Sequence, residues 1–389
     1  MQLHLIAFNV PFPANYGGVI DVFYKIKALH KIGVRVYLHC FEYGRHEADE
    51  LNDICESVTY YKRHTGVLKH ASLLPFIVNS RLNEDLLRNL QRYDFPILFE
   101  GLHCCGFVNH PSLVNRQKLV RMHNVEWQYY EHLAKKESTL WKRLFFRLES
   151  WKLKRFEHTV AAALAAVNTQ HKPKIQNATA KTAATFITIS PNDTKYFKTQ
   201  YSNIPSVYVP AFHPNEKLTS KVGKGEYALF HGDLSVKDNE EAAFYLIDDV
   251  FKNTNFKLII AGLNPSEQLL AKANKNIEIQ ANLSHEAMKY LIQNAHVNIL
   301  ISFHSAGMKL KLLNALFNGR FCVVNHFMVE GTGMEKFCLV GNNASELRRQ
   351  LKQAFKLSFD ESHINKRVEL LKNDLSNEQN ALKITAQFT

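Results

Sequence analysis

The sequence predicts an α/β protein of two doubly wound domains, each a parallel sheet covered by helices on both faces. Three observations predict it. Short apolar runs alternate with segments of helical periodicity along most of the chain. Two such series occur, separated by a stretch with no periodicity. The 389 residues also exceed the ~250–300 at which one hydrophobic core commonly divides.

The elements follow in order. Residues 3–8 read as the first strand; the start lacks the basic flank and small-residue cleavage site of a signal peptide. A Gly-containing connection, NVPFPANYGGVID, leads into a helical pattern over residues 19–31, with Val19, Val22, Phe23, Ile26 and Leu29 on one face. Residues 34–41, 96–99 and 118–122 read as short buried strands, followed by a strand at 186–189, a helix from Asn192 and a strand at 207–209. These place a first domain at 1–210. The segment AFHPNEKLTSKVGKGE is aperiodic and reads as a linker, residues 211–225. A second series over 226–370 contains the runs YALFH, FKLIIAG, NIEIQ, HVNILIS, RFCVVN and KFCLV, with helices starting near Lys237, Ser266, Ser284, Met308 and Ala344. Residues 371–389 form a tail expected to pack back on the first domain. In sheets of this kind ligands bind beyond the carboxyl ends of the strands, so the two sheets are expected to face a central cleft.

Composition narrows the function. Hydrophobic content of 46% and charged content of 22% describe a globular chain, and no run of ~20 apolar residues offers a membrane span. The six cysteines show no metal-ligand or CxxC spacing, as expected of thiols in a reducing, cytoplasmic compartment. The formal charge of +12 is concentrated between Lys135 and His158, where eight basic residues oppose three acidic ones. Trp141, Leu144, Phe145, Leu148 and Trp151 recur there at helical spacing. This amphipathic basic helix reads either as a peripheral dock on the anionic inner face of a membrane or as a solvated basic face over a buried stripe. No nucleic-acid-binding motif accompanies the charge.

Two segments carry chemistry. Gly17 and Gly18 stand where the first helix should begin, and glycines there let backbone N–H groups approach a phosphate at the helix N-terminus. The pair is neither GxGxxG nor a Walker A loop, which disfavours dinucleotide oxidoreductases and P-loop NTPases. Residues 302–316, SFHSAGMKLKLLNAL, run from a strand through a Ser/Gly turn into a helix bearing Lys309 and Lys311. Cations at a helix start oppose its dipole by ~0.3–1 kcal/mol each, a placement that a bound diphosphate justifies. At i, i+2 the two lysines are not expected to share a face, and Lys309 is the expected anion ligand.

GMKLKLLNALFNGRFCVVN resembles the nucleotide-sugar signature G-x-K-x-K-x-x-E-A-x-x-x-G-x-P-V-V of family 4 glycosyltransferases of the GT-B fold. Gly17-Gly18 resembles that family's N-terminal phosphate loop, and RMHNVE, residues 121–126, the segment bearing its active-site histidine, here His123. FHGDLSVKDNEEAAFYLI and KLIIAGLNPSEQLL resemble the opening of its C-terminal domain. The resemblance implies two Rossmann-like domains and a retaining, metal-independent transfer of a hexose from a nucleotide-diphosphate sugar to a glycan or lipid-linked acceptor, with no cofactor beyond that donor, as in polysaccharide biosynthesis. It implies that the leaving diphosphate accepts the incoming hydroxyl proton, stabilised by Gly17, Gly18, Gly307 and Lys309. His123 would position the sugar or acceptor, with Glu100 and Glu126 at cleft-facing strand ends. Gly232, Asp233, Lys237, Gln280, Ser305, Met308, Lys311 and Asn314 fall at donor-contacting positions. The family's Glu-x7-Glu pair is replaced by Ala306 and Asn314, and Asp233 and Lys237 or Asp238 replace an arginine and lysine. A GT-B-fold sugar-nucleotide 2-epimerase and a non-catalytic GT-B subunit are the alternatives.

Overall fold

Strands in a doubly wound sheet are buried on both faces, so successive residues must enter opposite apolar layers. The chain obeys this. In the computed structural model, which describes residues 1–170, 184–304 and 309–388, Ile97 and Phe99 enter one core layer and Leu98 the other. Phe186 and Ile187 divide in the same way. Each fully buried side chain of this size contributes about 1.5–3 kcal/mol against exposure.

The chain forms two units, Met1–Pro214 with Asp374–Thr389, and Asn215–Asn373. In the first, strands β1 (Gln2–Ala7), β2 (Arg35–Glu42), β3 (Ser57–Lys62), β4 (Ile97–Glu100), β5 (Lys118–Met122), β6 (Ala184–Thr188) and β7 (Ser206–Tyr208) make one sheet in the order 3-2-1-4-5-6-7. All its pairings are parallel. Strand order reverses between β1 and β4, which is the crevice such sheets offer to ligands. The helix Asn377–Thr385 belongs to this unit. Its Ala381 and Ile384, with Phe388 beyond it, join the core layer that contains Leu29 of helix Gly17–Lys31. Asn377 donates to the His213 carbonyl at 2.7 Å.

The second unit has strands β8 (Tyr227–Asp233), β9 (Lys257–Leu263), β10 (Ile277–Ala281), β11 (Val297–Leu300), β12 (Phe321–Val324) and β13 (Leu339–Val340), all parallel, in the order 10-9-8-11-12-13. Its reversal lies between β8 and β11. Close packing of β8 on β9 excludes any side chain at Gly262, where a Cβ would lie 1.8 Å from the Gly232 carbonyl oxygen.

Two sequence expectations are corrected here. The Lys135–His158 stretch is not one helix: Glu126–Lys136 ends, and Leu140–Gln170 begins after a break. Its apolar residues are not a buried stripe either, since Trp141 is 81% exposed and Leu140, Leu144, Leu148 and Trp151 are also exposed. Several of its charges turn inward instead, Lys152 pairing with Glu149 at 2.9 Å, both buried.

Candidate active site

In the first unit the carboxyl ends of β1, β4 and β5 converge on a buried ionic lattice. Asp21 and Lys25 lie one turn apart on helix Gly17–Lys31, so they share a face. The Lys25 ammonium donates to Asp21 Oδ2 at 2.8 Å and to both oxygens of Glu100, the last residue of β4, at 2.7 and 2.8 Å. Arg121 of β5 donates from Nη2 to Asp21 Oδ1 at 2.8 Å and from Nη1 and Nη2 to the Val209 and Pro210 carbonyls. Two cations and two carboxylates therefore balance, all with fully buried side chains. Burial alone would raise both carboxyls, but Arg121 and Lys25 hold Asp21, and Lys25 and His123 hold Glu100, below the ordinary carboxylate range.

His123, just beyond β5, rests on this lattice: Nε2 meets Glu100 Oε2 at 3.0 Å, and Nδ1 is buried without a hydrogen-bond partner. A carboxylate on one ring nitrogen fixes the ring and leaves the other for a ligand. The expectation that Glu100 itself touches an acceptor is not met, because its side chain is fully buried with both oxygens on Lys25 and Oε2 also against the His123 ring. The edge of the Phe8 ring packs on His123, with centroids 5.5 Å apart. Gly17 and Gly18 begin the helix as expected, and Gly18 has a packing reason of its own, since a Cβ there would come within 2.6 Å of Phe8 Cζ. Glu126 is the first residue of its helix and is buried, 3.9 Å from His103 Nδ1; burial, then Glu157, pushes its carboxyl up to about 8.

In the second unit the helix expected from Met308 runs Leu310–Asn318. Lys309 is its N-cap and stands outside the helix, so the i, i+2 argument against a shared face does not apply. Both lysines are half-buried: Lys309 Nζ donates to the His304 carbonyl at 3.0 Å and Lys311 Nζ to Asn239 Oδ1 at 2.7 Å. Burial, then Lys311, pushes Lys309 down to about 8; burial also pushes Lys311 down to about 8, against the pull of Asp238. His304 Nε2 meets Asp238 Oδ2 at 3.0 Å, a contact that sequence reasoning missed.

Gly232 and Asp233 end β8. Asp233 is exposed and accepts from Ser235, and Lys237 is exposed at the start of helix Lys237–Tyr245. Gln280 lies within β10, not in the loop after it, and donates to Glu278. Asn314 Oδ1 accepts from Asn215 Nδ2 at 2.7 Å, so its amide oxygen is engaged within the unit. Ser305, Gly307 and Met308 lie outside the described residues.

The lattice was unread because Asp21 and Lys25 look, in sequence, like the solvated flank of the apolar stripe. The available signal was an i, i+4 acid–base pair set between Val22 and Ile26.

Residues 225–368 match the family described as glycosyl transferases group 1. A curated relative, an uncharacterized 44.6 kDa protein in the cps region of Klebsiella pneumoniae, is 26% identical over 354 residues, covering 85% of this chain and 84% of its own. An α,α-trehalose-phosphate synthase (UDP-forming) from Burkholderia xenovorans, solved with glucose-6-phosphate, superposes with TM-score 0.59 at 10% identity, over 100% of this chain and 99% of its own. The lipopolysaccharide outer core galactosyltransferase WaaB gives 0.58 at 13% identity, over 99% and 100%. A glycotransferase of kitacinnamycin gives 0.57 at 12%, over 100% and 99%. At these identities the solved structures establish the architecture, two Rossmann-like parallel-sheet domains.

Proposed function

We propose that this chain, a glycosyltransferase of GT-B architecture with a group 1 domain at residues 225–368, moves a hexose with retention from a nucleotide-diphosphate sugar to a glycan or lipid-linked acceptor. The observation that carries the donor reading is the pair Lys309 and Lys311, half-buried cations at a helix start beside a sheet's switch point. Their ammonium groups are held below their ordinary range by burial, a penalty that a diphosphate relieves. In this reading the lysines neutralise charge developing on the departing diphosphate, the role a divalent ion otherwise fills, and the reaction needs no metal. The diphosphate oxygen takes the proton of the incoming hydroxyl. His123, oriented by Glu100, presents Nδ1 to a sugar hydroxyl.

The cps-region relative and the outer-core galactosyltransferase support a role in polysaccharide assembly. Leu140, Leu144, Arg147, Leu148, Trp151 and Arg155 lie along one helical face, apolar and basic side chains interleaved. Trp141 and Leu73, each 81% exposed, extend the apolar surface of this unit. That pattern supports peripheral docking on an anionic membrane, with tryptophan at the headgroup level. No helix among the described residues is long and apolar enough to cross a membrane.

The test is a calorimetric titration with UDP, GDP and dTDP, followed by turnover of the matching sugar donors with and without EDTA. Binding of one nucleoside diphosphate, and turnover unaffected by EDTA, is the expected result. No diphosphate-dependent affinity would leave a non-catalytic GT-B subunit, and a strict metal requirement would remove the lysine-only mechanism.

A further inference from the structure

Beside His123, on the same strand-end edge of the first unit, stands a group of arginines that the reaction above does not use. Arg63 directly follows β3. Its Nε donates to Ser80 Oγ at 2.9 Å, and its guanidinium lies 4.3 Å from the centroid of the Tyr43 ring. Arg81 is 7% exposed and donates from Nε to the Phe8 carbonyl at 2.9 Å and from Nη1 to the Ile77 carbonyl at 2.6 Å. Arg45 lies over the Tyr16 ring at 5.5 Å and donates from Nη1 to Asn15 Oδ1 at 2.8 Å and from Nη2 to the Pro13 carbonyl, its Nε being buried without a partner. Asn9 ties the group together, its amide donating to Tyr16 Oη at 3.1 Å and to the Tyr43 carbonyl at 3.2 Å.

Three features mark this group as awaiting an anion. First, the neighbouring buried cations are matched to carboxylates, Lys25 and Arg121 by Asp21 and Glu100 and Lys152 by Glu149. Arg45, Arg63 and Arg81 form no ion pair among the described residues. Second, Arg63 and Arg81 repel one another, and burial first, then Arg63, pushes Arg81 down to about 10. A concentration of like charge with no counter-ion is unfavourable unless a ligand supplies one. Third, the group is continuous with His123 through His103. Arg81, His123 and Arg63 all act on the His103 ring after burial, and Phe8 packs on both histidines, at 5.4 and 5.5 Å. His103 Nδ1 is itself buried and lacks a hydrogen-bond partner. Glu126, 3.9 Å from His103 Nδ1, has its carboxyl pushed up to about 8 by burial, which reduces the negative charge it offers these arginines at neutral pH.

We propose that Arg63 and Arg81, with Arg45 at their flank, form the acceptor subsite and hold a phosphate or carboxylate carried by the acceptor. The acceptor is therefore an anionic sugar or a lipid-linked sugar phosphate, and not a neutral glycan end. This rests on the transferase reading and specifies the substrate class of its first unit. Guanidinium forks suit such groups because they offer paired N–H donors to paired oxygens.

The experiment uses the full chain carrying Lys309→Ala and Lys311→Ala, which silences the anion site of the second unit. It is titrated by calorimetry with inorganic phosphate, glucuronate and glucose. The expected result is binding of an anion and none of glucose. Arg63→Gln should weaken the anion about tenfold or more, and Arg63→Lys should recover part of the loss, since charge returns without the fork. Arg81→Gln risks the fold because Arg81 anchors two carbonyls, so the half-buried Arg63 carries the decision. Displacement of phosphate by vesicles containing a polyprenyl monophosphate, lost in Arg63→Gln, assigns the anion to a lipid-linked acceptor. Displacement by glucuronate or glucose 1-phosphate alone assigns it to a soluble one, and displacement by neither overturns the proposal. Anion affinity unchanged in Arg63→Gln, or glucose binding as tightly as glucuronate, overturns it as well. UDP binding to the unsubstituted chain is read separately, so failure of the donor reading and failure of the acceptor subsite give different results.

Discussion

Replacing Glu100 by glutamine removes one of two negative charges from a fully buried lattice while keeping its shape. Lys25 then loses the carboxylate that accepts at 2.7 and 2.8 Å, and Asp21 alone must balance Lys25 and Arg121. One uncompensated positive charge stays buried, which costs about 3–5 kcal/mol when a buried pair is broken from one side. All three tryptophans, Trp127, Trp141 and Trp151, belong to the first unit, and Trp127 Nε1 donates to Tyr196 Oη at 2.9 Å. Tryptophan emission in urea therefore follows the unfolding of that unit. With a slope of about 1–3 kcal/mol per molar urea, the midpoint should fall by roughly 1–5 M. The double variant Lys25→Met with Glu100→Gln restores neutrality and should recover at least half of the loss, a coupling that only interacting groups show. A single variant within about 0.5 kcal/mol of the parent, or a double variant no better than the single, would refute the lattice as an ion-balanced unit.

Lys309→Ala should weaken nucleoside diphosphate binding by about 1.5–3 kcal/mol, the range of a charge-assisted hydrogen bond; unchanged affinity in the titration would remove Lys309 from the site. The same binding should fall as pH rises above about 8, where Lys309 and Lys311 lose their protons. The stability of the second unit runs the other way, because between about 8 and the ordinary 10.5 the unfolded chain binds more protons, so stability rises across that window. Glu126 has the opposite sign: its carboxyl is raised from 4.5 to about 8, so the stability of the first unit should decline between those values as pH rises. Glu126→Gln should flatten that decline in urea midpoints measured across the range, and an unchanged slope would count against a buried carboxyl there. Trp141→Ser combined with Lys142→Gln and Arg147→Gln should lower co-sedimentation with anionic liposomes while leaving neutral liposomes unaffected; equal retention would favour a merely solvated face.

The doubly wound architecture was legible because strands buried on both faces produce continuous apolar runs such as LIIA and FCVV. Strand β3 was not, since SVTYYK is mostly half-exposed at the edge of its sheet and lacks such a run. Helix Gly17–Lys31 was readable from Val19, Val22, Ile26 and Leu29. The role of Asp21 and Lys25 was not, because their partners Glu100 and Arg121 come from strands far along the chain, and only the sheet order brings those strands together. The exposed Trp141 could not be distinguished from a buried one, because periodicity locates a helical face without saying which neighbour covers it. Arg63 and Arg81 fell outside every motif; what sets them apart is a missing counter-ion, a property of three-dimensional neighbourhood.

The first unit is assembled from two separate segments of the chain, Met1–Pro214 and Asp374–Thr389, and the second is one uninterrupted stretch. Ala381, Ile384 and Phe388 fill a core layer shared with Leu3, Val22 and Leu29, so that layer is completed only by residues that lie beyond the whole of the second unit in sequence. A stop codon placed just after Asn373 would therefore spare the segment of the second unit while leaving the first with an open seam.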